Sequence, residues 1–132
     1  MNKLQLIQLP QITDQRGNLS FMESPAHLPF EIARTFWTYN VPGGEERDAH
    51  AYKTQHEFIV ALSGSFDVVV KDKNGIESLF QLNRSYFGLY LPPLTWRVVN
   101  NFSTNAFGLH ICSSIYNETD YIRDFNVFKT WK

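Results

Sequence analysis

The chain has 132 residues, is 43% hydrophobic and 15% aromatic, and carries a formal net charge of −1 at pH 7. Its length allows one sizeable core, and its apolar content excludes disorder. The charge argues against nucleic-acid binding, and no apolar run is long enough for a signal peptide or a membrane span. The single cysteine, Cys112, excludes an internal disulfide. We therefore expect one cytoplasmic domain over residues 1–132.

Short strand-like segments follow one another along the chain. Asn74-Gly75 and Ser63-Gly64 each predict a tight hairpin, whereas proline and glycine at 41–48 predict a loop. Helical spacing is confined to 119–131. Strands are predicted at 3–9, 18–23, 33–40, 57–62, 65–71, 76–82, 87–91, 95–99 and 106–112, with a further one around His50. About ten short strands with tight turns favour an all-β antiparallel barrel of the jelly-roll type with a short C-terminal helix.

The stretch from Gly44 to Gly64 resembles the first metal-ligand motif of cupin barrels, with His50 and Glu57 at ligand positions. Residues two apart in a strand share a face, so His50 and Tyr52 point together while Ala49 and Ala51 point away. Large polar groups on one side and alanines on the other predict a packed outer wall and a functional interior. Tyr52 stands where cupins place a second histidine.

The second cupin motif is partly present over residues 88–101. Arg97 occupies the position of its histidine ligand, and Leu94 that of a turn glycine. Because a guanidinium is cationic and has no lone pair to offer, we expect no metal at this site and no other cofactor.

The same residues suit proton transfer beside a carbonyl. His50 has an ordinary pKa near neutrality and is the predicted base, while Tyr52 is a predicted acid or hydrogen-bond donor. Arg97 is predicted to stabilise a developing enolate. Glu57 is either a structural partner of the buried Arg97 or a contact for the ligand.

Four segments of the chain resemble the nucleoside-diphosphate-sugar 3,4-ketoisomerases: RTFWTYNVPGGEERDAHAYK, LSGSFDVVV, GLYLPPLTW and YNETDYIRDFNVF. The resemblance implies a metal-free jelly-roll homodimer with exchanged N-terminal strands. It implies action on dTDP-4-keto-6-deoxyglucose, with removal of the C3 proton, an enediol, and protonation at C4. His50 matches the first histidine of the R-G-x-H-A-H-K motif of the family, Tyr52 replaces the second, and Lys53 matches its lysine.

Further residues are candidates for contact with the substrate. Arg16 and Arg47 are predicted to hold the diphosphate, and Tyr39 to hydrogen-bond to the sugar; Lys53 and Glu57 complete the predicted substrate-binding set. Tyr121, in the closing motif, either docks that segment or contacts the ligand. His110 has no visible partner in the sequence and is interpreted as structural.

Two alternatives to the isomerase stay open at this point. A non-catalytic cupin that binds a nucleotide sugar is one, since replacement of a histidine is what loss of activity would produce. A 3,5-epimerase, which shares the barrel and the substrate, is the other.

Overall fold

The computed structural model of the chain describes residues 3–132. It contains twelve strands, a 3₁₀ turn (Glu118–Asp120) and one helix, α1 (Phe125–Thr130). The strands are β1 (Gln5–Gln8), β2 (Gln11–Asp14), β3 (Gly17–Ser20), β4 (Arg34–Tyr39), β5 (Arg47–Tyr52), β6 (Glu57–Ser63), β7 (Phe66–Lys71), β8 (Glu77–Leu82), β9 (Phe87–Leu91), β10 (Trp96–Asn100), β11 (Phe107–Cys112) and β12 (Tyr121–Ile122).

The strands form two five-stranded antiparallel sheets. Sheet I has the order β1-β9-β6-β11-β4, sheet II has the order β12-β5-β10-β7-β8, and β2 and β3 form a separate hairpin. Two sheets wound from non-consecutive strands are the jelly-roll architecture, which confirms the predicted all-β fold. β2 and β12 are additional to the strands that the sequence predicts.

The main core lies between the two sheets and is built by strand alternation. Ile59 and Leu89 of sheet I pack in one cluster with Val68 and Val99 of sheet II. Each such side chain contributes roughly 1.5–3 kcal/mol when it is fully buried. Glu57 shares the inward face of β6 with Ile59, since residues two apart in a strand point the same way. One end of the interior is therefore apolar, while the other carries polar side chains.

Both outer faces are covered by other parts of the chain. Leu28 and Phe30 pack on Phe58, on the outer side of sheet I. On the outer side of sheet II, Phe128 of α1 packs with Ala51 of β5 and with Trp96. Ala51 thus faces a packed wall, as predicted from the alternation around His50.

The C-terminal segment is helical over a shorter range than its spacing predicts. Tyr121 and Ile122 form a strand that pairs with Tyr52 and Ala51 of β5. The helix begins only after Asp124, whose side chain accepts a hydrogen bond from the backbone N–H of Asn126. Pairing with β5 prevails over the four- and three-residue spacing, so the prediction of a helix from residue 119 is wrong.

Of the two predicted hairpins, one is confirmed. β7 and β8 pair on either side of Asn74-Gly75. Ser63-Gly64 does not close a hairpin, because β6 pairs with β9 and β11 while β7 belongs to sheet II. Gly64 has a φ of 66°, and a Cβ there would lie 2.7 Å from the Cα of Ala106. This glycine therefore allows the chain to cross from one sheet to the other against a neighbouring loop.

Over residues 3–132, the chain forms no helix long and apolar enough to cross a membrane.

Candidate active site

A cavity of about 270 Å³ opens between the sheets at the polar end of the barrel. β5 and β10 supply His50, Tyr52 and Arg97 from sheet II. β6 and β11 supply Glu57 and His110 from sheet I. His50 and Arg97 lie opposite each other in neighbouring strands, which explains why residues 47 apart in the sequence meet in one place.

Glu57 and Arg97 form an ion pair in the interior, where each side chain is 1% exposed. The second carboxylate oxygen, Oε2, lies 2.5 Å from Nδ1 of His110. Burial on its own would raise the pKa of Glu57, but Arg97 and then His110 lower it to about 2. The carboxylate is therefore charged at neutral pH and is held by two partners from different strands.

The ring of His50 is arranged as a base. Its Nδ1 lies 2.7 Å from the backbone carbonyl of Asp48, which can only accept, so Nδ1 carries the hydrogen of the neutral ring. Nε2 is buried without a hydrogen-bond partner in the described part of the chain, which leaves its lone pair free. Burial first, and then the charge of Arg97, lower the pKa of His50 from 6.5 to about 4. The ring is therefore neutral at pH 7, and Nε2 keeps the lone pair that a general base needs.

Tyr52 lies between His50 and a second tyrosine, Tyr121. Its hydroxyl donates to the hydroxyl of Tyr121 over 3.3 Å, and its ring stands edge-on to His50 with the centroids 4.8 Å apart. Burial, and next the carboxylate of Glu57, raise the pKa of Tyr52 far above its usual value. Tyr52 therefore keeps its proton, and at this site it is a neutral hydrogen-bond donor.

The mouth of the cavity is rich in arginine. Arg34, Arg47 and Arg123 line it together with the buried Arg97, against the two carboxylates of Asp48 and Glu57. Arg97 is paired with Glu57 and Arg123 with Glu118, so four guanidinium groups face three carboxylates. The remaining positive charge suits an anionic ligand such as a diphosphate.

Three of the predicted substrate-binding residues lie outside this cavity. Lys53 places its ammonium 4.8 Å from the centroid of the Trp131 ring. Tyr39 is 60% exposed and lines a separate groove beside β4. Arg16 sits at the tip of the β2–β3 hairpin and pairs with Asp14. Within one chain these three side chains lie outside the cavity around His50. The structure of a single chain therefore does not support their predicted contact with the substrate.

Among the charged or titratable residues of the cavity, His110 and Arg34 were not predicted as site residues. His110, interpreted from the sequence as structural, is a cavity-lining group, and Arg34 was not singled out. In the sequence, His110 is marked only by its position in a predicted strand, midway between Gly108 and Cys112. In the structure that strand, β11, pairs with β6. Its partner Glu57 lies 53 residues earlier, so sequence spacing does not reveal the contact.

Cys112 ends β11 beside this site. Its thiol is fully buried and accepts a long hydrogen bond of 3.7 Å from Arg34. Burial first, and then Glu57, raise the pKa of Cys112 to about 12, so the thiol stays protonated. It lacks the thiolate character of a nucleophile.

Within residues 3–132, no group of three or more histidine, cysteine, aspartate or glutamate side chains is placed to hold a metal ion. The absence of a metal from the working protein stays a prediction, for which the reason is the guanidinium of Arg97 at a ligand position.

Known proteins resemble this chain in sequence over nearly its whole length. The family model described as "WxcM-like, C-terminal" matches residues 2–132. The TDP-4-oxo-6-deoxy-alpha-D-glucose-3,4-oxoisomerase of Aneurinibacillus thermoaerophilus is 34% identical over 126 residues, which cover 96% of this chain and 90% of that protein.

Solved structures show the same fold at similar identity. The WlaRB TDP-quinovose 3,4-ketoisomerase of Campylobacter jejuni superposes with a TM-score of 0.91, at 32% identity and 98% coverage of both chains. A mutant of the 3,4-ketoisomerase QdtA from Thermoanaerobacterium thermosaccharolyticum, in complex with TDP-4-keto-6-deoxyglucose, has a TM-score of 0.93. It is 30% identical and covers 98% of this chain and 93% of its own. Matched over nearly its whole length in sequence and in fold, the chain belongs to the WxcM-like, C-terminal family of cupin-like proteins.

Proposed function

We propose that the protein is a 3,4-ketoisomerase that converts dTDP-4-keto-6-deoxyglucose into a dTDP-3-keto-6-deoxyhexose, a step in the synthesis of deoxy and amino sugars. The observation that carries the proposal is a histidine base in the same cavity as a guanidinium that keeps one nitrogen without a partner. Nε2 of His50 and Nη2 of Arg97 are both buried and without hydrogen-bond partners over the described residues. The names of the relatives, and the sugar nucleotide bound to one of them, give the substrate class.

The chemistry that these residues support needs no cofactor. The proton on C3 of a 4-keto sugar is acidic because the resulting anion delocalises onto the C4 oxygen. His50 takes that proton, and Arg97 stabilises the negative charge that develops. Return of a proton to C4 then moves the carbonyl to C3. Tyr52, which keeps its proton, contributes as a donor in the hydrogen-bonded pair with Tyr121.

The nucleotide diphosphate is assigned to the arginines at the mouth. Arg47 is exposed, lines the cavity and comes from the same strand as His50. Arg34 has a buried Nε with no partner in the described chain, so it also has a donor to offer. A guanidinium group can donate two parallel hydrogen bonds to one phosphate, and this geometry favours phosphate over a neutral ligand.

We infer that the protein works as a homodimer, because one chain leaves its β2–β3 hairpin uncovered. Ile12 and Leu19 on this hairpin are 53% and 55% exposed, and the hairpin pairs with neither sheet. A lone two-stranded hairpin is at best marginally stable. β4 is the free edge of sheet I and exposes Trp37 on its surface. Exchange of N-terminal strands would place the hairpin, with Arg16, on a second copy.

Light scattering at micromolar concentration is expected to give twice the 15.4 kDa mass of one chain. Ile12→Asp, which places a charge on the hairpin, should shift the mass towards one chain. Ile76→Asp is the matched control, because Ile76 is 66% exposed in the β7–β8 turn and should leave the dimer intact. A wild-type protein that runs as a stable monomer would contradict the dimer, and with it a role for Arg16 at the site of a second copy.

We also infer a cytoplasmic location. Its support is the single thiol of Cys112, which has no partner for a disulfide within the chain and suits a reducing compartment.

The reaction is tested by incubating the protein with dTDP-4-keto-6-deoxyglucose in deuterium oxide and following it by proton NMR. A ketoisomerase gives a 3-keto product labelled at C4, since the proton returned to carbon comes from a base that exchanges with solvent. A 3,5-epimerase instead labels C3 and C5 and leaves the ketone at C4. A binding module leaves the sugar unlabelled. If the ketone stays at C4 without exchange while binding is demonstrated, the proposed activity is wrong.

A further inference from the structure

His110 enters the cavity from the wall opposite His50. It lies on β11 of sheet I, whereas His50 lies on β5 of sheet II. The ring is 5% exposed and stacks on Phe36, with a centroid separation of 4.3 Å and an interplanar angle of 12°. Its orientation is therefore set by a stacked ring on one side and by Glu57 at Nδ1.

The hydrogen bond to Glu57 fixes the role of one ring nitrogen of His110. Glu57 is ionised and can only accept, so Nδ1 of His110 carries the hydrogen. Nε2 is buried and has no hydrogen-bond partner within residues 3–132. The pattern repeats that of His50, in which Asp48 fixes the proton on Nδ1. The cavity thus holds two oriented histidines with free Nε2 atoms, one from each sheet.

A 3,4-ketoisomerase reaction moves two protons, and the proposed base accounts for one. The substrate has a hydrogen on C3, a hydroxyl on C3 and a carbonyl on C4. The product has a carbonyl on C3, and a hydrogen and a hydroxyl on C4. One proton is therefore removed from C3 and one is added to C4, while the C3 oxygen loses a proton and the C4 oxygen gains one. While His50 holds the carbon proton, it is a cation and cannot accept the proton of the C3 oxygen.

We infer that His110 carries the second proton, from the C3 oxygen to the C4 oxygen of the enediolate; this rests on the proposed ketoisomerase function. Once His50 has taken the C3 proton, the C4 oxygen bears the negative charge. Nε2 of His110 takes the proton of the C3 hydroxyl and delivers it to the C4 oxygen. The negative charge then lies on the C3 oxygen, His50 returns its proton to C4, and the C3 carbonyl forms. Both histidines end neutral, and no oxidant or reductant is needed.

The neighbouring groups are suited to supporting roles in this step. Glu57 holds the ring of His110 and favours the imidazolium that forms while the proton is carried. Arg97 lines the same cavity and has an unpartnered Nη2, so it is suited to stabilise the oxygen anion, but it cannot accept a proton. The hydroxyl of Tyr52 donates a hydrogen bond to the hydroxyl of Tyr121. Among these groups, His110 is the one with an imidazole nitrogen that has no hydrogen-bond partner in the described part of the chain.

The test compares isotope effects in two histidine variants at saturating dTDP-4-keto-6-deoxyglucose. In His110→Gln, turnover is expected to fall at least about tenfold, as for loss of an acid–base group. Deuterium at C3 should then have almost no effect on turnover, whereas deuterium oxide should slow it markedly, because transfer between oxygens limits the rate. In His50→Asn the opposite is expected, with a large effect of deuterium at C3, because cleavage of the carbon–hydrogen bond limits the rate.

Two outcomes overturn the inference. Either His110→Gln turns over as fast as the wild type, or it is slowed and shows the same large C3 isotope effect as His50→Asn, as misplacement of the carbon base would produce. Should His110→Gln not fold, His110→Phe keeps the stack on Phe36 and serves in its place. Circular dichroism and binding of TDP establish the fold. A wild-type protein that does not turn over the sugar would instead contradict the proposed function.

Discussion

Replacement of His50 by asparagine is expected to lower turnover of dTDP-4-keto-6-deoxyglucose at least about a hundredfold, the usual scale for loss of a general base. Asparagine keeps an amide hydrogen that can donate to the carbonyl of Asp48, as Nδ1 of the histidine does. It removes the imidazole ring, and with it the lone pair of Nε2. The experiment is a steady-state assay combined with binding of TDP and circular dichroism.

Turnover and TDP binding are measured independently, so loss of the base can be distinguished from loss of the fold or of nucleotide binding. Retained TDP binding and a native spectrum with lost turnover assign the base to His50. Unchanged turnover would mean that the base lies elsewhere in the cavity. Tyr52→Phe provides a comparison on the same strand: it keeps the packing against His50 and removes a hydroxyl that donates to Tyr121, so a smaller loss is expected.

Replacement of Arg97 by methionine is expected to lower the free energy of unfolding by about 3–5 kcal/mol, the usual cost of removing one partner from a buried ion pair. The carboxylate of Glu57 would remain in the interior with only His110 beside it. The Arg97 guanidinium also donates through Nε to the carbonyl of Thr95 and lies 5.1 Å from the Tyr52 ring centroid. Urea unfolding at fixed protein concentration measures the loss.

The double variant Arg97→Met/Glu57→Gln is the matched control for this prediction. It removes both charges, so it should be more stable than Arg97→Met alone, in spite of carrying one more substitution. Arg123→Met, which breaks the exposed pair with Glu118, should cost much less, because solvent screens that pair. A double variant less stable than the single one would show that the cost of Arg97→Met comes from lost packing instead of an uncompensated carboxylate.

Strand periodicity carried most of the fold prediction. The alternation of alanine with His50 and Tyr52 correctly placed the two rings inside the barrel and Ala51 against a packed wall, whereas Ala49 is exposed. Leu94, at the position of a turn glycine, has a φ of 59°, so the backbone there keeps the conformation that the cupin motif requires. Such features depend on neighbours within a few residues, which the sequence displays directly.

The parts that were missed depend on distant pairing. Whether Gly64 turns back or crosses between sheets depends on the loop around Ala106. Tyr121 pairs with Tyr52, and His110 meets Glu57, only because of the order of strands in the two sheets. The spacing of residues along the sequence does not predict these contacts. The wall of β5 and β10 was therefore predicted from the sequence, whereas on the opposite wall Glu57 was predicted and His110 was not.

The buried thiol of Cys112 has a practical consequence for measurement. Because the chain has no other cysteine and this one is buried and protonated, thiol-reactive dyes should leave the native protein unlabelled. A cysteine introduced on the exposed β2–β3 hairpin, at Asn18 for example, would then be the single site that reacts. Resonance energy transfer between preparations labelled with different dyes would show whether the chains exchange the β2–β3 hairpin after mixing, and how fast they do so.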